Sequence, residues 1–206
     1  MTEAIVGFFS RITANPYLLS AILSVVPVTE IKGSILFAAA ADADPLFAAL
    51  FAYLSSLALC FVLTFTVPKA LRTIERFPRV KKATSFLTDR MTKKADKLLE
   101  SAGASEEERR KNKLIFGVYA FVALPLPMTG VWTGAMLSAL LRLDRKSTFF
   151  ALATGNLTAG GAVLAISLLA GEKASAVLDL FLLLSLALVL FAIFKGLWKR
   201  RKVKAE

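Results

Sequence analysis

Histidine is absent from the 206 residues, and cysteine occurs once, as Cys60. The first absence excludes a His-based metal site and a His proton relay. The second excludes a disulfide framework and leaves the redox compartment unreadable. No nucleophile–base pair, metal-ligating cluster or phosphate-binding glycine loop stands out, so enzymatic chemistry, a metal and a cofactor are not expected. The first residues carry no basic n-region, and no cleaved signal peptide is expected. Charge is missing as well: there is none from Ile12 to Thr29 and none from Gly33 to Ala41.

What fills those stretches is apolar. The chain is 56% hydrophobic with a mean hydropathy of +0.64, a composition that soluble domains of this length do not have. Four long blocks stand out: Ile12–Ala41 (broken), Pro45–Pro68, Leu114–Leu141 (broken) and Ser147–Gly171. A fifth, Ala174–Phe194, carries only Asp179. A spanning helix needs about 20 apolar residues. The expectation is an all-α integral membrane protein, one membrane domain over residues 1–206.

The net charge of +11 could suggest nucleic acid, but its distribution does not. Lys69–Lys113 holds 14 Lys/Arg and 7 Asp/Glu, the tail Lys195–Glu206 holds six bases and one acid, and the remainder sums to −1. Basic segments beside apolar helices are the positive-inside signature. Membrane lipids, not nucleic acid, are the expected partners.

Two breaks interrupt the apolar blocks. The first, Pro27-Val28-Thr29-Glu30-Ile31-Lys32-Gly33-Ser34, carries an acid, a base and both helix breakers. The second, Pro125-Leu126-Pro127-Met128-Thr129-Gly130-Val131-Trp132-Thr133-Gly134, lies about one hundred residues later. A charge at membrane depth costs roughly 2.5–3.5 kcal/mol on the insertion scale and usually faces a partner or a water-filled cavity. The two breaks are therefore expected to meet at the membrane midplane as one site.

Charge decides the expected topology. With Lys69–Lys113 in the cytoplasm, a full crossing by Leu114–Leu141 would leave Arg142, Arg145, Lys146 and the basic tail outside, against the positive-inside bias. A re-entrant Leu114–Leu141 removes both conflicts, and the same logic makes Tyr17–Ala41 re-entrant from the outer face. The halves then share one order, a re-entrant helical hairpin followed by a spanning helix, inserted from opposite sides as two inverted repeats. The expected plan is an interfacial helix over 1–14, repeat one over 17–67 and a basic cytoplasmic loop over 69–113. Repeat two covers 114–171, a C-terminal span 174–198 and a basic tail 199–206. Within the loop, Ala83, Phe86, Leu87, Met91, Ala95, Leu98 and Leu99 recur at helical steps and predict a cytoplasmic amphipathic helix. Ser105 with Glu108 is a capping-box pattern that predicts a fresh helix start. The N-terminus is expected outside and the C-terminus in the cytoplasm of a multi-pass plasma-membrane protein. A homodimer is one way to close a cavity that so few spans enclose poorly.

The breaks suggest chemistry. Half-helix N-termini offer free N–H donors to a phosphate or carboxylate. Thr29 and Thr129 are placed to cap those half-helices. Lys32 adds a full charge for an anion, and Glu30 can hold a proton. Glu30 could alternatively salt-bridge Lys32, two residues away, but on a regular helix the two point apart, so each is expected to need another partner. Pro27, Gly33, Pro125, Pro127, Gly130 and Gly134 are expected to form the hairpin tips as backbone requirements. Trp132 reads first as packing, and Asn156 as a hydrogen bond across helices. Arg142 and Arg145 are candidate headgroup contacts beside their ordinary role as topology anchors.

At these breaks the chain resembles the small multidrug export protein family, related to the DedA superfamily. That family shows Pro-x-x-Glu-x-Arg-Gly in its first half, where this chain has Pro27, Glu30, Lys32 and Gly33. Its second half shows Pro-Leu-Pro-Gly-Thr-Gly-x-Trp-Thr-Gly, where this chain has Pro125-Leu126-Pro127-Met128-Thr129-Gly130-Val131-Trp132-Thr133-Gly134. Lys32 for Arg keeps the charge and loses the bidentate fork. Met128 stands where the family has glycine. The resemblance implies a paired re-entrant fold, and its DedA-like relatives imply recycling of polyprenyl-phosphate lipids driven by the proton-motive force. The leading expectation is thus a proton-coupled transporter of an amphiphilic anionic lipid, with Glu30, Lys32, Thr29, Thr129, Trp132 and Asn156 as the substrate and proton site. The alternatives are proton-coupled efflux of small hydrophobic cations, in which Glu30 binds the cation, and a non-transporting membrane scaffold.

Overall fold

The computed structural model describes Gly7, residues 13–74 and residues 106–203. All elements among these residues are helical: α1 (Pro16–Val25), α2 (Glu30–Ala40), α3 (Pro45–Ile74), α4 (Glu106–Ala123), α5 (Val131–Leu140), α6 (Arg145–Ala170), a single 3-10 turn (Gly171–Lys173) and α7 (Ala174–Val203). Three are long and apolar enough to cross a membrane: Pro45–Thr73, Arg145–Ala170 and Ala174–Phe191. The amphipathic helix expected over 83–99, Ser105 of the capping box and most of the helix expected over 1–14 lie outside the described residues.

The two broken blocks resolve into short helices. α1 and α5 have 10 residues each and α2 has 11, about 15 Å at 1.5 Å per residue, half the ~30 Å hydrocarbon core of a bilayer. Asn15 starts α1 by accepting from the N–H groups of Tyr17 and Leu18, with Pro16 just inside. The chain then folds back on itself. Ser20 in α1 reaches the carbonyl of Ser34 in α2 at 3.5 Å and that of Ala48 in α3 at 3.2 Å. In the second half, a Cβ added at Gly134 of α5 would lie 2.5 Å from Val122 of α4.

The halves close in the same way. α2 and α5 end in paired backbone bonds: Asp42 N–H to Ala39 and Ala43 N–H to Ala38 in one, Arg142 N–H to Ala139 and Leu143 N–H to Ser138 in the other. Both turns pass through a left-handed residue, Asp42 (φ 55°) and Arg142 (φ 54°), as this type of C-cap requires. Asp44 and Asp144 then cap α3 and α6, accepting from Leu46 N–H at 2.8 Å and Ser147 N–H at 3.0 Å. Every helix contact inside the first half, among α1, α2 and α3, has its counterpart among α4, α5 and α6. Where α3 meets α6, Tyr53 donates to the Ala153 carbonyl and Asn156 to Ser56 Oγ at 2.7 Å.

Some boundaries differ from expectation. α3 continues through Pro68 to Ile74, because an apolar helix held on both sides of a proline tolerates one missing hydrogen bond. α6 begins at Arg145, where Asp144 supplies the cap, and α7 runs into the basic tail as far as Val203. α7 lies on α2. Leu178 and Phe181 join Leu19, Leu23, Ile31, Ile35, Leu36 and Phe37 in one core, while Val118, Val122, Val131, Ala135 and Leu152 form a second. Every residue from Glu30 to Ala38 is consequently buried, whereas α5 leaves Met136 exposed.

Candidate functional site

The breaks are the turns between α1 and α2 and between α4 and α5. In the first, Val26 turns extended and Pro27, Val28 and Thr29 form the bend. Glu30 opens α2 with φ 48°, a left-handed conformation uncommon for a residue with a side chain. In the second, Pro125 and Pro127 supply no N–H, Met128 has φ 66°, and Gly130 is the N-cap of α5.

These turns meet. Lys32 Nζ donates to the Leu126 carbonyl at 2.9 Å and to Thr129 Oγ1 at 3.1 Å, and lies 3.7 Å from Glu30 Oε2. The Trp132 backbone N–H, in the first turn of α5, favours the ionised Glu30 carboxylate. The Trp132 indole Nε1 donates to the Val25 carbonyl at the end of α1, at 3.0 Å. Gly130 is packed against Glu30, and an added Cβ would collide with the carboxylate. Glu30 is 2% exposed and Lys32 0%.

The arrangement is electrostatically complementary. The positive end of α5 faces an anion, as helix N-termini favour, but that anion is the protein's own carboxylate. The ammonium takes carbonyl and hydroxyl oxygens from the opposite half. A Lys has three N–H donors; Leu126 and Thr129 accept from two of them, and Glu30 Oε2 stands at ion-pair distance. Glu30 Oε1, by contrast, is buried with no hydrogen-bond partner among the described residues.

Several expectations change here. Glu30 and Lys32 do approach each other, at 3.7 Å, with Glu30 at the very start of α2 in a left-handed conformation. The threonines do not cap the following helices. Thr29 Oγ1 donates backwards to the Leu23 carbonyl at 2.6 Å, and Thr129 Oγ1 to that of Leu126 at 2.8 Å, with Leu124 at 3.0 Å. Carbonyls at the end of each preceding segment compete successfully for the hydroxyls, that of Leu23 while also accepting from the Val26 N–H at 3.2 Å. Gly33 and Gly134 are not at the tips but inside α2 and α5, packed against Thr29 and Phe181, and against Val122 and Leu152. Pro27 and Pro125 are exposed at the bends, while Pro127 is buried.

Trp132 both packs and hydrogen-bonds. Asn156 joins Ser56 across α3 and α6, apart from the partners of Lys32, and its Oδ1 has no partner among the described residues. Arg142 and Arg145 lie at the far end of α5 and the start of α6, both exposed, and contribute nothing to the Glu30–Lys32 pair. The backbone carbonyls of Leu126 and Val25 escaped the residue-by-residue reading, since carbonyls have no letter of their own. A signal existed for Leu126: a residue flanked by two prolines has lost nearby helical donors.

Residues 30–162, more than half of the chain, match the model of a protein family described as "Putative small multi-drug export protein". No curated protein and no solved structure matches the chain.

Proposed function

The chain belongs to the small multi-drug export protein family, and from that premise we propose a proton-coupled exporter of small hydrophobic cations with Glu30 as the coupling acid. The observation that carries this reading is the buried Oε1 of Glu30, without a partner among the described residues, beside an ammonium that already holds two hydrogen bonds and an ion pair. The open position at this site is an acceptor on a carboxylate, which takes a proton or a cationic donor.

In the proposed cycle the contacts among Glu30, Lys32 and the α5 N-terminus hold the halves together. Protonating Glu30 removes its attraction for both and lets the breaks part. A cationic substrate then takes the proton's place on the carboxylate, and the proton leaves on the other side. The accompanying architecture is two inverted repeats of re-entrant hairpin and spanning helix, with the basic segment 69–113 and the tail in the cytoplasm. Its support is threefold: helices too short to cross, the matched caps at Asp42 and Arg142, and the α3–α6 contact at Ser56 and Asn156. Transport of a polyprenyl-phosphate lipid has less support, because Lys32 must leave three partners before it can meet a phosphate.

The test is reconstitution in proteoliposomes with a fluorescent hydrophobic cation and a polyprenyl phosphate in parallel, with and without a pH gradient. Gradient-driven cation movement that disappears in Glu30→Gln is expected. Movement of the polyprenyl phosphate alone would replace this reading with the lipid one. Full activity in Glu30→Gln would remove the coupling acid and favour a scaffold.

A further inference from the structure

A second site lies away from Glu30. A cavity of about 340 Å³ is lined by Pro68, Leu71 and Arg72 of α3 and by Ala139, Arg142 and Leu143 at the end of α5. We infer that this cavity binds a phosphate group, through the guanidinium groups of Arg72 and Arg142.

The charge is available there. Neither arginine side chain has a hydrogen bond or ion pair among the described residues, and both are exposed. Two charges beside Arg142 are already engaged. Arg145 sits 5.1 Å from the Phe65 ring centroid, a cation–π distance. Asp144, two residues from Arg142 in the chain, is held by Lys111 at 2.7 Å, and Arg142 has no ion pair among the described residues. One arginine comes from α3 and the other from the turn after α5, and arginine forks are well suited to phosphate oxygens.

The geometry is built into the backbone. Arg142 occupies the left-handed position of the turn after α5 (φ 54°), and bonds from its own N–H and that of Leu143 hold the turn. α3 carries Arg72 to the same place because it continues past Pro68. The corresponding turn of the first half carries Asp42, so this cation site has no counterpart there. The walls between the arginines are apolar, from Pro68, Leu71, Ala139 and Leu143. Basic pockets between membrane helices take the headgroups of anionic lipids, and a soluble phosphate offers the same chemistry.

The experiment uses the full chain in phosphatidylcholine nanodiscs. Phosphatidylglycerol is titrated in one arm and inorganic phosphate in the other, with binding read by native mass spectrometry. Saturable binding of at least one probe is expected, weakened about tenfold or more in the R72Q/R142Q double variant, as loss of two charge-assisted contacts implies. R145Q, whose charge lies on Phe65, is expected to bind within about twofold of the unchanged protein by the same logic. Saturation by inorganic phosphate assigns a soluble phosphate, and saturation by phosphatidylglycerol alone assigns a lipid headgroup. Equal binding by R72Q/R142Q, an equal loss in R145Q, or no saturable binding of either probe overturns the inference. Both arginines are exposed, and an unchanged melting temperature in the double variant separates loss of binding from loss of fold.

Discussion

The two breaks have the same task and different chemistry. The first, between α1 and α2, carries the ions Glu30 and Lys32. The second, between α4 and α5, carries dipoles: the Leu126 carbonyl, the Thr129 hydroxyl and the Trp132 N–H. The ions of the first sit in the stretch Glu30–Ala38 of α2, buried throughout where α7 lays Leu178 and Phe181 on it, while α5 keeps an open face at Met136. A buried ion pair recovers little of its desolvation by attraction alone and needs further hydrogen bonds. Here the opposite half supplies them, so each break is incomplete without the other.

The strongest way to break this complementarity is to leave one charge alone. Lys32→Met strands the Glu30 carboxylate in a dry site, and a loss of about 3–5 kcal/mol is expected, read as a melting temperature in detergent. Gly130→Ala attacks the same contact from the other half by pushing a methyl into the carboxylate. Combining Lys32→Met with Glu30→Gln should recover much of the stability while cation export stays absent. If the double variant is no more stable than Lys32→Met, the two groups are not coupled.

Trading the dipoles has smaller effects. Thr129→Val removes an acceptor from buried Lys32 and should cost about 2 kcal/mol, in the range for hydrogen bonds to charged groups. Thr29→Val removes only a neutral bond to Leu23 and should cost about 1 kcal/mol. Equal losses would contradict the division into an ionic and a dipolar break. Trp132→Phe keeps the ring but frees the Val25 carbonyl, again about 1 kcal/mol.

Met128→Gly sharpens the comparison in the opposite direction. Glu30 and Met128 both sit at positive φ, but only Met128 can be relieved without losing a functional group. Stabilisation of about 1 kcal/mol is expected, since glycine meets no Cβ penalty there. The smallest effect lies outside the membrane segments. Hydrogen bonds from Lys111 and from the Ser147 N–H hold the Asp144 carboxyl well below the usual carboxylate range. Its contribution is therefore present above about pH 4 and fades as pH falls through the depressed value. The pair is half exposed, so Asp144→Asn should lower the melting temperature only slightly at neutral pH and less still at acid pH.

Much of this protein was legible in the chain. The apolar blocks predict the long helices because length and hydropathy are local properties. Pro27, Pro125 and Pro127 mark the bends for the same reason, since a missing N–H acts on its own segment. Glu30 and Lys32 stood out because charge inside such blocks is rare. The threonine bonds were read in the wrong direction: the spacing showed a hydroxyl near a helix start, but not the carbonyls of Leu23 and Leu126 behind it.

Composition and pattern alone determined that the chain is helical, membrane-embedded and broken at two charged or proline-bearing points, since each follows from neighbours along the sequence. Only the tertiary structure decided that Glu30 lies against Gly130 and Trp132 and that Lys32 ends on Leu126. The physical reason is distance along the chain. The partners are about a hundred residues apart, and the acceptors that complete the pair are backbone carbonyls that any residue could offer.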